Sequence, residues 1–395
     1  MNDTQKYFIH LLSSHLNNSP PLPNEKADWM GVFKLGELHN LTAMLCIEIK
    51  KLPPESRPPQ NIMSLFNQAL GMAIQSYENK MCGINNLIDT LSDNKIDHLF
   101  LKGAAIRKYY PVAEVRTSGD TDVVVDKDNL KSSADILLNN GFTLTQQSDI
   151  QNVMFFKDEE FEIKNYFDCI NDKCEDYFAS SFDENKCCKE NEHTYFLLPV
   201  YHLIYVCSHI LKHFKTGGAG IRQLMDIDVL LRSGEIDLNE FFKIAKELDL
   251  EKSFSVLIAL SKRYFNTPIN FDYEINDKLY SMLEKVILEG GVFGFAISDS
   301  GTTRLIESIN TSGKSNMKAS LKALFLMFFP KKEYFYRCYP YCAKFHILLP
   351  VAYFQRLFEA VFSRGKTNAK SIKTIFSDRG TAQTISDILN ELEIK

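Results

Sequence analysis

Apolar residues recur every three or four positions in the first part of the chain, which is the spacing of one face of an α-helix. Three stretches follow this spacing, at residues 7–12, 29–52 and 62–91. Proline-rich segments at 20–23 and 53–59 separate them. The pattern predicts an all-helical region over residues 1–95.

After residue 95 the pattern changes to short apolar runs. Residues 98–101 lead into Lys102-Gly103 and a helix-like run that Pro111 stops, which predicts a strand, a tight turn and a helix. Residues 120–126, β-branched at their centre and bounded by acids, predict a second strand. A helix at 129–139, further strands at 142–144, 153–156 and 161–167, and an irregular segment over 168–192 are expected to follow.

Helical spacing resumes at Tyr195 and continues to the C-terminus, with breaks at glycine and proline positions. The chain is therefore predicted to be an α+β protein, in which a small mixed β-sheet is flanked by helical N-terminal and C-terminal regions. We expect three parts, a helical region over 1–95, a sheet core over 96–190 and a helical region over 191–395.

The composition is that of an ordinary soluble protein, with 45% hydrophobic and 24% charged residues. Met1 is followed by polar residues without the pattern of a secretory signal, so the expected compartment is the cytoplasm. Nine cysteines without paired two-residue spacings favour reduced thiols over disulfides or a structural zinc site.

The formal net charge of −5 is unevenly distributed, because residues 314–373 carry twelve Lys or Arg against two acids. Such a segment is typical of a solvated helical face, but it also suits contact with an anionic membrane surface, nucleic acid or a phosphorylated substrate. The apolar stretch 345–362 contains Pro350, Arg356 and Glu359, which argues against a membrane span and leaves an interfacial amphipathic helix open.

Paired carboxylates at the start of the second predicted strand are the strongest chemical signal. Residues two apart on a strand share a face, so Asp120 and Asp122, with Asp126 as a third candidate, are expected to project together. An isolated Asp-x-Asp is more often a solvated turn, but here Lys102-Gly103 and the helix after it offer a phosphate cradle nearby. Mg²⁺ typically joins carboxylates to substrate phosphates.

These residues also carry a resemblance to a known family. Leu101-Lys102-Gly103-Ala104-Ala105, Tyr110-Pro111, Arg116 and Ser118-Gly119-Asp120-Thr121-Asp122-Val123-Val124-Val125 resemble an uncharacterised family of the DNA polymerase β-like nucleotidyltransferase superfamily. Phe161-Glu162-Ile163 is similar to the strand of that family's third carboxylate, and residues 209–231 resemble its helical segment. The resemblance covers nearly the whole chain and makes 96–190 a nucleotidyltransferase-like core.

The resemblance implies transfer of a nucleoside monophosphate from a nucleoside triphosphate (NTP) to an acceptor hydroxyl, with two Mg²⁺ ions. Asp120, Asp122 and Glu162 are the expected catalytic and metal-binding residues, with Glu162 serving the acceptor and preferred to Glu160. The residues expected to contact the nucleotide are Lys102, Gly103, Arg116, Ser118, Gly119, His213 and Arg222. Arg116 is alternatively expected to steady its loop, His213 to be a core-edge or surface histidine, and Arg222 to pair with Asp226.

Two departures keep other functions open. The superfamily has Gly-Ser where this chain has Gly103-Ala104, and relatives have Glu-x-His where it has Glu162-Ile163-Lys164. A nucleotide-binding protein without turnover is therefore one alternative. Another is an accessory protein of surface-polysaccharide assembly, docked through 314–373 on a membrane or an anionic polymer. A nucleic-acid partner is not favoured because no base-reading module is recognised, and the acceptor is expected to be a small molecule, a sugar or a protein.

Overall fold

The computed structural model of the chain describes residues 1–180, 182–292, 304–306, 308–309, 317–330, 335, 341, 346–362, 375 and 379–394. The fold is α+β, as predicted, with a seven-stranded mixed sheet and helical regions on either side of it in the chain. It divides into two compact units. The first comprises Met1–Lys212 and Gly220–Ile275, and the second His213–Ala219 and Asn276–Lys395.

Four helices precede the sheet, which confirms the helical N-terminal prediction. They are α1 (Asp3–Leu16), α2 (Trp29–His39), α3 (Thr42–Lys51) and α4 (Gln60–Asp93). A capping box between Asn2 and Gln5 begins α1, and the Asp28 carboxylate caps α2 by accepting from Gly31 N–H. The 34-residue α4 begins after Pro59, where a residue without an N–H is tolerated.

The sheet follows, with α5 (Lys102–Ile106) and α6 (Leu130–Asn139) between its first strands. Its strands are β1 (His98–Phe100), β2 (Asp120–Val125), β3 (Thr143–Gln147), β4 (Gln151–Phe156), β5 (Glu159–Lys164), β6 (Cys187–Lys189) and β7 (Thr194–Leu197). The strand order is β3-β4-β5-β2-β1-β7-β6. Strand β2 pairs parallel with β5 and antiparallel with β1, so it lies in the interior of the sheet.

One face of this sheet packs on α4 and α6. Val123 and Phe161 from the strands join Leu87 of α4 and Leu137 of α6 in one buried cluster. Each such side chain contributes roughly 1.5–3 kcal/mol by leaving water. Because successive strand residues alternate between faces, Asp120 and Asp122 of β2 and Glu160 and Glu162 of β5 are left on the opposite face.

The segment before residue 199 departs from the sequence prediction. Residues 168–192 were expected to be irregular and Tyr195 to begin a helix, but the structure has a short helix α7 (Asp172–Tyr177) and strands β6 and β7 there. Strand β7 pairs parallel with β1, Leu99 lying opposite Tyr195. Strand β7 has only four residues and is followed closely by α8, so its apolar residues cannot be separated from the helical pattern that follows. Its strand conformation depends on pairing with β1, which is distant in sequence.

Helices make up most of the chain after the sheet. The first unit contains α9 (Ile221–Arg232), α10 (Leu238–Glu247) and α11 (Glu251–Phe265) and most of α8 (Pro199–Thr216). The second contains α12 (Asp277–Glu289), α13 (Met317–Phe328), α14 (Leu349–Phe362) and α15 (Arg379–Glu391). Within the described ranges, no helix is both long and apolar enough to cross a membrane.

Two glycines of α4 provide a matched test of how tightly the helix packs on the sheet. A Cβ at Gly83 would lie 2.8 Å from Cζ of the fully buried Phe161, whereas a Cβ at Gly71 would meet nothing within 4 Å. We expect Gly83→Ala to lower the free energy of unfolding by about 1–3 kcal/mol through overpacking. We expect Gly71→Ala to raise it by roughly 0.5–1 kcal/mol, because alanine favours helix.

Urea unfolding followed by tryptophan fluorescence measures both effects, because the single tryptophan, Trp29, is buried in the first unit. Equal changes in the two variants would contradict the close contact between Gly83 and Phe161.

Candidate functional site

Three carboxylates meet on the open face of the β2–β5 pair. In the strand register Asp120 lies opposite Glu160, and Asp122 lies opposite Glu162. Asp120, Asp122 and Glu162 can each offer an oxygen such that all three atoms lie within 4.8 Å of one another. The structure thus brings together the three residues that the sequence selects for the metal.

Asp126 does not join them. It follows the last residue of β2 and is exposed, at the far end of the strand from Asp120. Although the two-residue period puts it on the same face, a rise of about 3.3 Å per residue separates it widely from Asp120. The expectation that it projects with the pair is therefore wrong, because alternation determines the face and not the position along the strand.

Two lysines compensate the charge of Asp122, which is only 2% exposed. Lys102 Nζ lies 2.8 Å from Asp122 Oδ2, and Lys164 Nζ lies 2.6 Å from Asp122 Oδ1. Lys164 also forms an ion pair with Glu162, its neighbour but one on β5. In the sequence Lys164 differs from the histidine of relatives, and its position two residues after Glu162 puts it on the carboxylate face.

This pairing determines the protonation of the site. Burial by itself raises the pKa of Asp122, but the charges and hydrogen bonds of Lys102 and Lys164 outweigh it and hold that pKa below its usual value. Burial likewise favours a low pKa for Lys164, and Asp122 and Glu162 reverse this and raise it. Asp122 is therefore an anion and Lys164 a cation at neutral pH.

The donor set suits a hard divalent cation. Asp120, Asp122 and Glu162 supply carboxylate oxygens, which are the ligands that Mg²⁺ prefers. Glu160 adds a fourth carboxyl on the same face, and its pKa is raised by burial and by Glu162. The face therefore concentrates negative charge where a cation can neutralise it. These residues fit a bound metal ion.

The turn between β1 and α5 carries backbone strain. Lys102 has a φ of 48°, in the left-handed region that residues with a Cβ rarely adopt. Such a conformation costs on the order of 1–3 kcal/mol and is retained where the surroundings enforce it. Here Leu101 N–H donates to Asp122 O at 3.1 Å, which ties the turn to β2 beside the carboxylates. The helix that the sequence predicts after this turn is α5, which has only five residues.

Gly103 gives space to the guanidinium of Arg116. A Cβ at Gly103 would lie 2.4 Å from Arg116 Nη1. Arg116 is buried, and it donates from Nη2 to Asp226 Oδ2 at 2.5 Å and from Nε to Asp226 Oδ1 at 3.1 Å. Tyr110 Oη donates to the same carboxylate at 2.7 Å. These contacts match the loop-steadying alternative for Arg116.

Arg222 holds the same loop from α9. Its Nη1 donates to Thr117 O at 3.1 Å, and Asp226 accepts from Arg116 rather than forming the expected pair with Arg222. Burial and the nearby charge of Arg116 lower the pKa of Arg222 to about 10. The four-residue spacing could not show this outcome, because Arg116 reaches Asp226 from a distant part of the chain.

Lys80 of α4 supports the loop from its other side and was missed by the sequence reasoning. Its Nζ lies 2.5 Å from Gly119 O and 3.0 Å from Glu159 Oε2. A signal did exist, because Lys80 stands seven residues after buried Ala73 and seven before buried Leu87, a core position for an apolar residue. A cation there requires partners, and the loop and Glu159 supply them.

The remaining expected residues are placed as follows. Ser118 and Gly119 immediately precede β2, and a Cβ at Gly119 would meet nothing within 4 Å. His213 lies near the end of α8 and belongs to the second unit, so its contact with a nucleotide stays a sequence prediction.

The chain is similar to a known protein family. A family model described as "Uncharacterised nucleotidyltransferase" matches residues 25–266, which is more than half of the chain and includes β2, β5 and α9. No curated protein and no solved structure matches the chain.

Gly103, which lies against Arg116, and Gly119, which has free space beside it, form a matched pair for substitution by alanine. We expect Gly103→Ala to lower the free energy of unfolding by about 1–3 kcal/mol, because the new methyl group displaces a guanidinium that Asp226 holds in place. Gly119→Ala is expected to change it by no more than about 0.5 kcal/mol. Both are measured by urea unfolding without ligand. A Gly103→Ala protein as stable as Gly119→Ala would contradict the described packing of Arg116.

Proposed function

The chain belongs to the uncharacterised nucleotidyltransferase family, and we propose that it transfers a nucleoside monophosphate from an NTP to an acceptor hydroxyl. The observation that carries this proposal is the meeting of Asp120, Asp122 and Glu162 oxygens on one face of two parallel strands. In the proposed step the hydroxyl oxygen bonds to the α-phosphorus, and the bond from that phosphorus to the β-phosphate oxygen breaks. Pyrophosphate leaves.

The three carboxylates would hold Mg²⁺, in our proposal as two ions. Bound there, the metal would supply positive charge to the triphosphate and make the acceptor hydroxyl more acidic. Glu162 is proposed to take the hydroxyl proton, because its side chain is 22% exposed whereas that of Asp122 is 2% exposed. Asp120 and Asp122 remain the metal-binding pair.

The lysines have different proposed roles because they differ in exposure. The Lys102 side chain is 18% exposed, so we propose that it turns from Asp122 to a phosphate oxygen when the nucleotide binds. Lys164 is 4% exposed at its side chain and is proposed to stay with Asp122 and Glu162. The ammonium of Lys102 would stand in for the hydroxyl that Ala104 lacks.

The remaining proposed nucleotide contacts lie at the start of α5 and along the loop before β2. The backbone at Gly103, Ser118 and Gly119 is proposed to approach the phosphates, and the space beside Gly119 permits such an approach. Arg116 and Arg222 are proposed to act by holding this loop, since both guanidinium groups are buried on protein partners.

Thermal unfolding with each of the four ribonucleoside triphosphates and Mg²⁺ tests the proposal. We expect one triphosphate to stabilise the native protein by about 2.7 kcal/mol at a concentration near 100 times its Kd. The Asp120→Asn, Asp122→Asn double variant is expected to lose this metal-dependent stabilisation. Each protein is compared with its own melting temperature without ligand, because the substitution also leaves Lys102 and Lys164 with weaker partners.

Asp126→Asn is the matched control, since it makes the same chemical change in an exposed residue at the other end of β2. It is expected to keep the stabilisation. If no triphosphate stabilises the wild-type protein, nucleotide binding is wrong. If a triphosphate stabilises the wild-type protein but no candidate acceptor becomes labelled from the α-³²P-labelled triphosphate, the alternative of nucleotide binding without turnover is supported.

A second proposal concerns contact of the second unit with an anionic membrane surface. Ile347, Val351 and Phe354 recur at helical spacing before and within α14 and are 87%, 56% and 75% exposed. Phe325 on α13 is 59% exposed, and Lys322 and Lys318, three and seven residues before it and therefore on the same side of that helix, are also exposed. Apolar residues beside lysines are the combination that binds an interface of anionic lipid. Much of the basic segment 314–373 lies outside the described residues.

Vesicle sedimentation tests this second proposal. We expect the protein to sediment with vesicles containing anionic lipid, less so at high salt, and not with neutral vesicles. Ile347→Asp with Phe354→Asp should weaken binding about tenfold or more, because two charges would enter the interface. Leu22→Asp alters an apolar residue that is 69% exposed in the first unit, and it should have no effect. Equal sedimentation of all three proteins would contradict the proposed contact.

A further inference from the structure

A small cavity open to solvent lies between α4 and the loop that leads into β2. Its lining includes Tyr77 and Lys80 from α4, Arg107 from the turn after α5, and Arg116 and Ser118 from the loop. Glu114 is the carboxylate among the lining residues. The cavity therefore presents three cations beside the segment that ends at Asp120.

Arg107 is the cation here that lacks an acid. It is 6% exposed, and within the part of the chain that the structure describes it forms no ion pair. Its contacts are long, since Nε lies 3.3 Å from Gly103 O, Nη2 lies 3.4 Å from Ser118 Oγ, and Nη1 lies 3.5 Å from Met81 Sδ. Its guanidinium carbon also lies 5.3 Å from the centre of the Tyr77 ring. A buried guanidinium with such weak contacts leaves hydrogen-bonding capacity unused.

The two neighbouring cations are compensated within the protein. Lys80 pairs with Glu159 at 3.0 Å, and Arg116 pairs with Asp226. Burial lowers the pKa of Arg107 to about 10, with a further contribution from the charge of Arg116, so Arg107 is still a cation at neutral pH. Among the cations that line the cavity, Arg107 is therefore the one without an ion pair in the described residues, and Glu114 is a lining carboxylate that forms no ion pair with it.

We propose that this cavity binds one terminal phosphate group of a substrate, with Arg107 as its principal donor and Ser118 Oγ beside it. A guanidinium offers two parallel N–H donors that match phosphate oxygens, and the Tyr77 ring lies beside the guanidinium of Arg107. The small cavity excludes a whole nucleotide, so the proposal is confined to a single phosphate group. This inference rests on the proposed function, which identifies the substrate. The cavity is close to the carboxylates in sequence, because Ser118 lies two residues before Asp120.

Two substrates could supply the phosphate. One is the triphosphate, whose terminal phosphate would lie here while its α-phosphate faces the carboxylates. The other is an acceptor that itself carries a phosphate group. Both present the same chemistry to Arg107, so competition between ligands has to separate them.

Isothermal titration with inorganic phosphate, without Mg²⁺ and at constant ionic strength, measures the site directly. We expect Arg107→Met to weaken phosphate binding about tenfold or more, which corresponds to the loss of a charge-assisted hydrogen bond. Lys108→Met removes the same charge one residue away, from an exposed side chain, and is expected to change binding less than about twofold. Arg107→Met should not lower the melting temperature without ligand, because it removes an uncompensated buried charge.

Each outcome of these titrations either supports or overturns the proposed phosphate site. If the wild-type protein does not bind phosphate, or if Arg107→Met binds it as well as wild type, the proposed site is wrong. Should Arg107→Met fail to fold, Arg107→Lys keeps the charge without the paired donors, and undiminished binding would overturn the proposal. Loss of phosphate binding in the presence of a saturating NTP with Mg²⁺ assigns the site to the triphosphate, and retained binding assigns it to the acceptor.

The failure of this proposal is distinguishable from failure of the proposed function. The Asp120→Asn, Asp122→Asn protein is expected to bind inorganic phosphate at least as well as wild type, because it has less negative charge near the cavity. Arg107-dependent phosphate binding without any stabilisation by a nucleoside triphosphate would keep the anion site and remove the nucleotidyltransferase proposal.

Discussion

The electrostatic balance around Asp122 is the constraint on which the rest of the site depends. An aspartate that is 2% exposed costs several kcal/mol to bury unless opposite charges accompany it. Lys102 and Lys164 provide those charges from two different elements, the turn after β1 and strand β5. The face of the β2–β5 pair can therefore hold several carboxylates close together in the folded protein, and these are the groups that would bind a metal ion.

A second set of buried charges holds the loop between α5 and β2 against the surrounding helices. Asp226 of α9 binds Arg116, Arg222 binds Thr117 O, and Lys80 of α4 binds Gly119 O. Each partner lies far from the loop in sequence, so the loop position depends on the packing of α4 and α9 around the sheet. The same arrangement leaves Arg107 without an acid, beside a cavity at the entrance to β2. The packing of α4 and α9 on this loop therefore both positions the carboxylates at the start of β2 and leaves the Arg107 guanidinium without an ion pair.

Much of the first unit could be predicted from periodicity, because local rules determine it. Helical spacing and prolines located α1 to α4, a β-branched run located β2, and alternation located β5. The two-residue period put Asp120 and Asp122 on one face, whereas Glu162 was assigned to them through the family resemblance. Strand β7 was missed because its four residues have no pattern that separates them from the following helix. Asp126 was included with the pair because a two-residue period contains no information about distance along the strand.

The sequence by itself determined most elements of the first unit, the shared face of Asp120 and Asp122 and, through motifs around Lys102-Gly103 and Asp120-Thr121-Asp122, the family to which the chain belongs. Tertiary structure alone decided the partners of the buried charges. Lys164 with Asp122, Arg116 with Asp226, and Lys80 with Glu159 join residues on different elements, up to 110 positions apart. Coulomb attraction acts through space and is strongest where burial removes water, so these pairs follow from which side chains the packed core brings together.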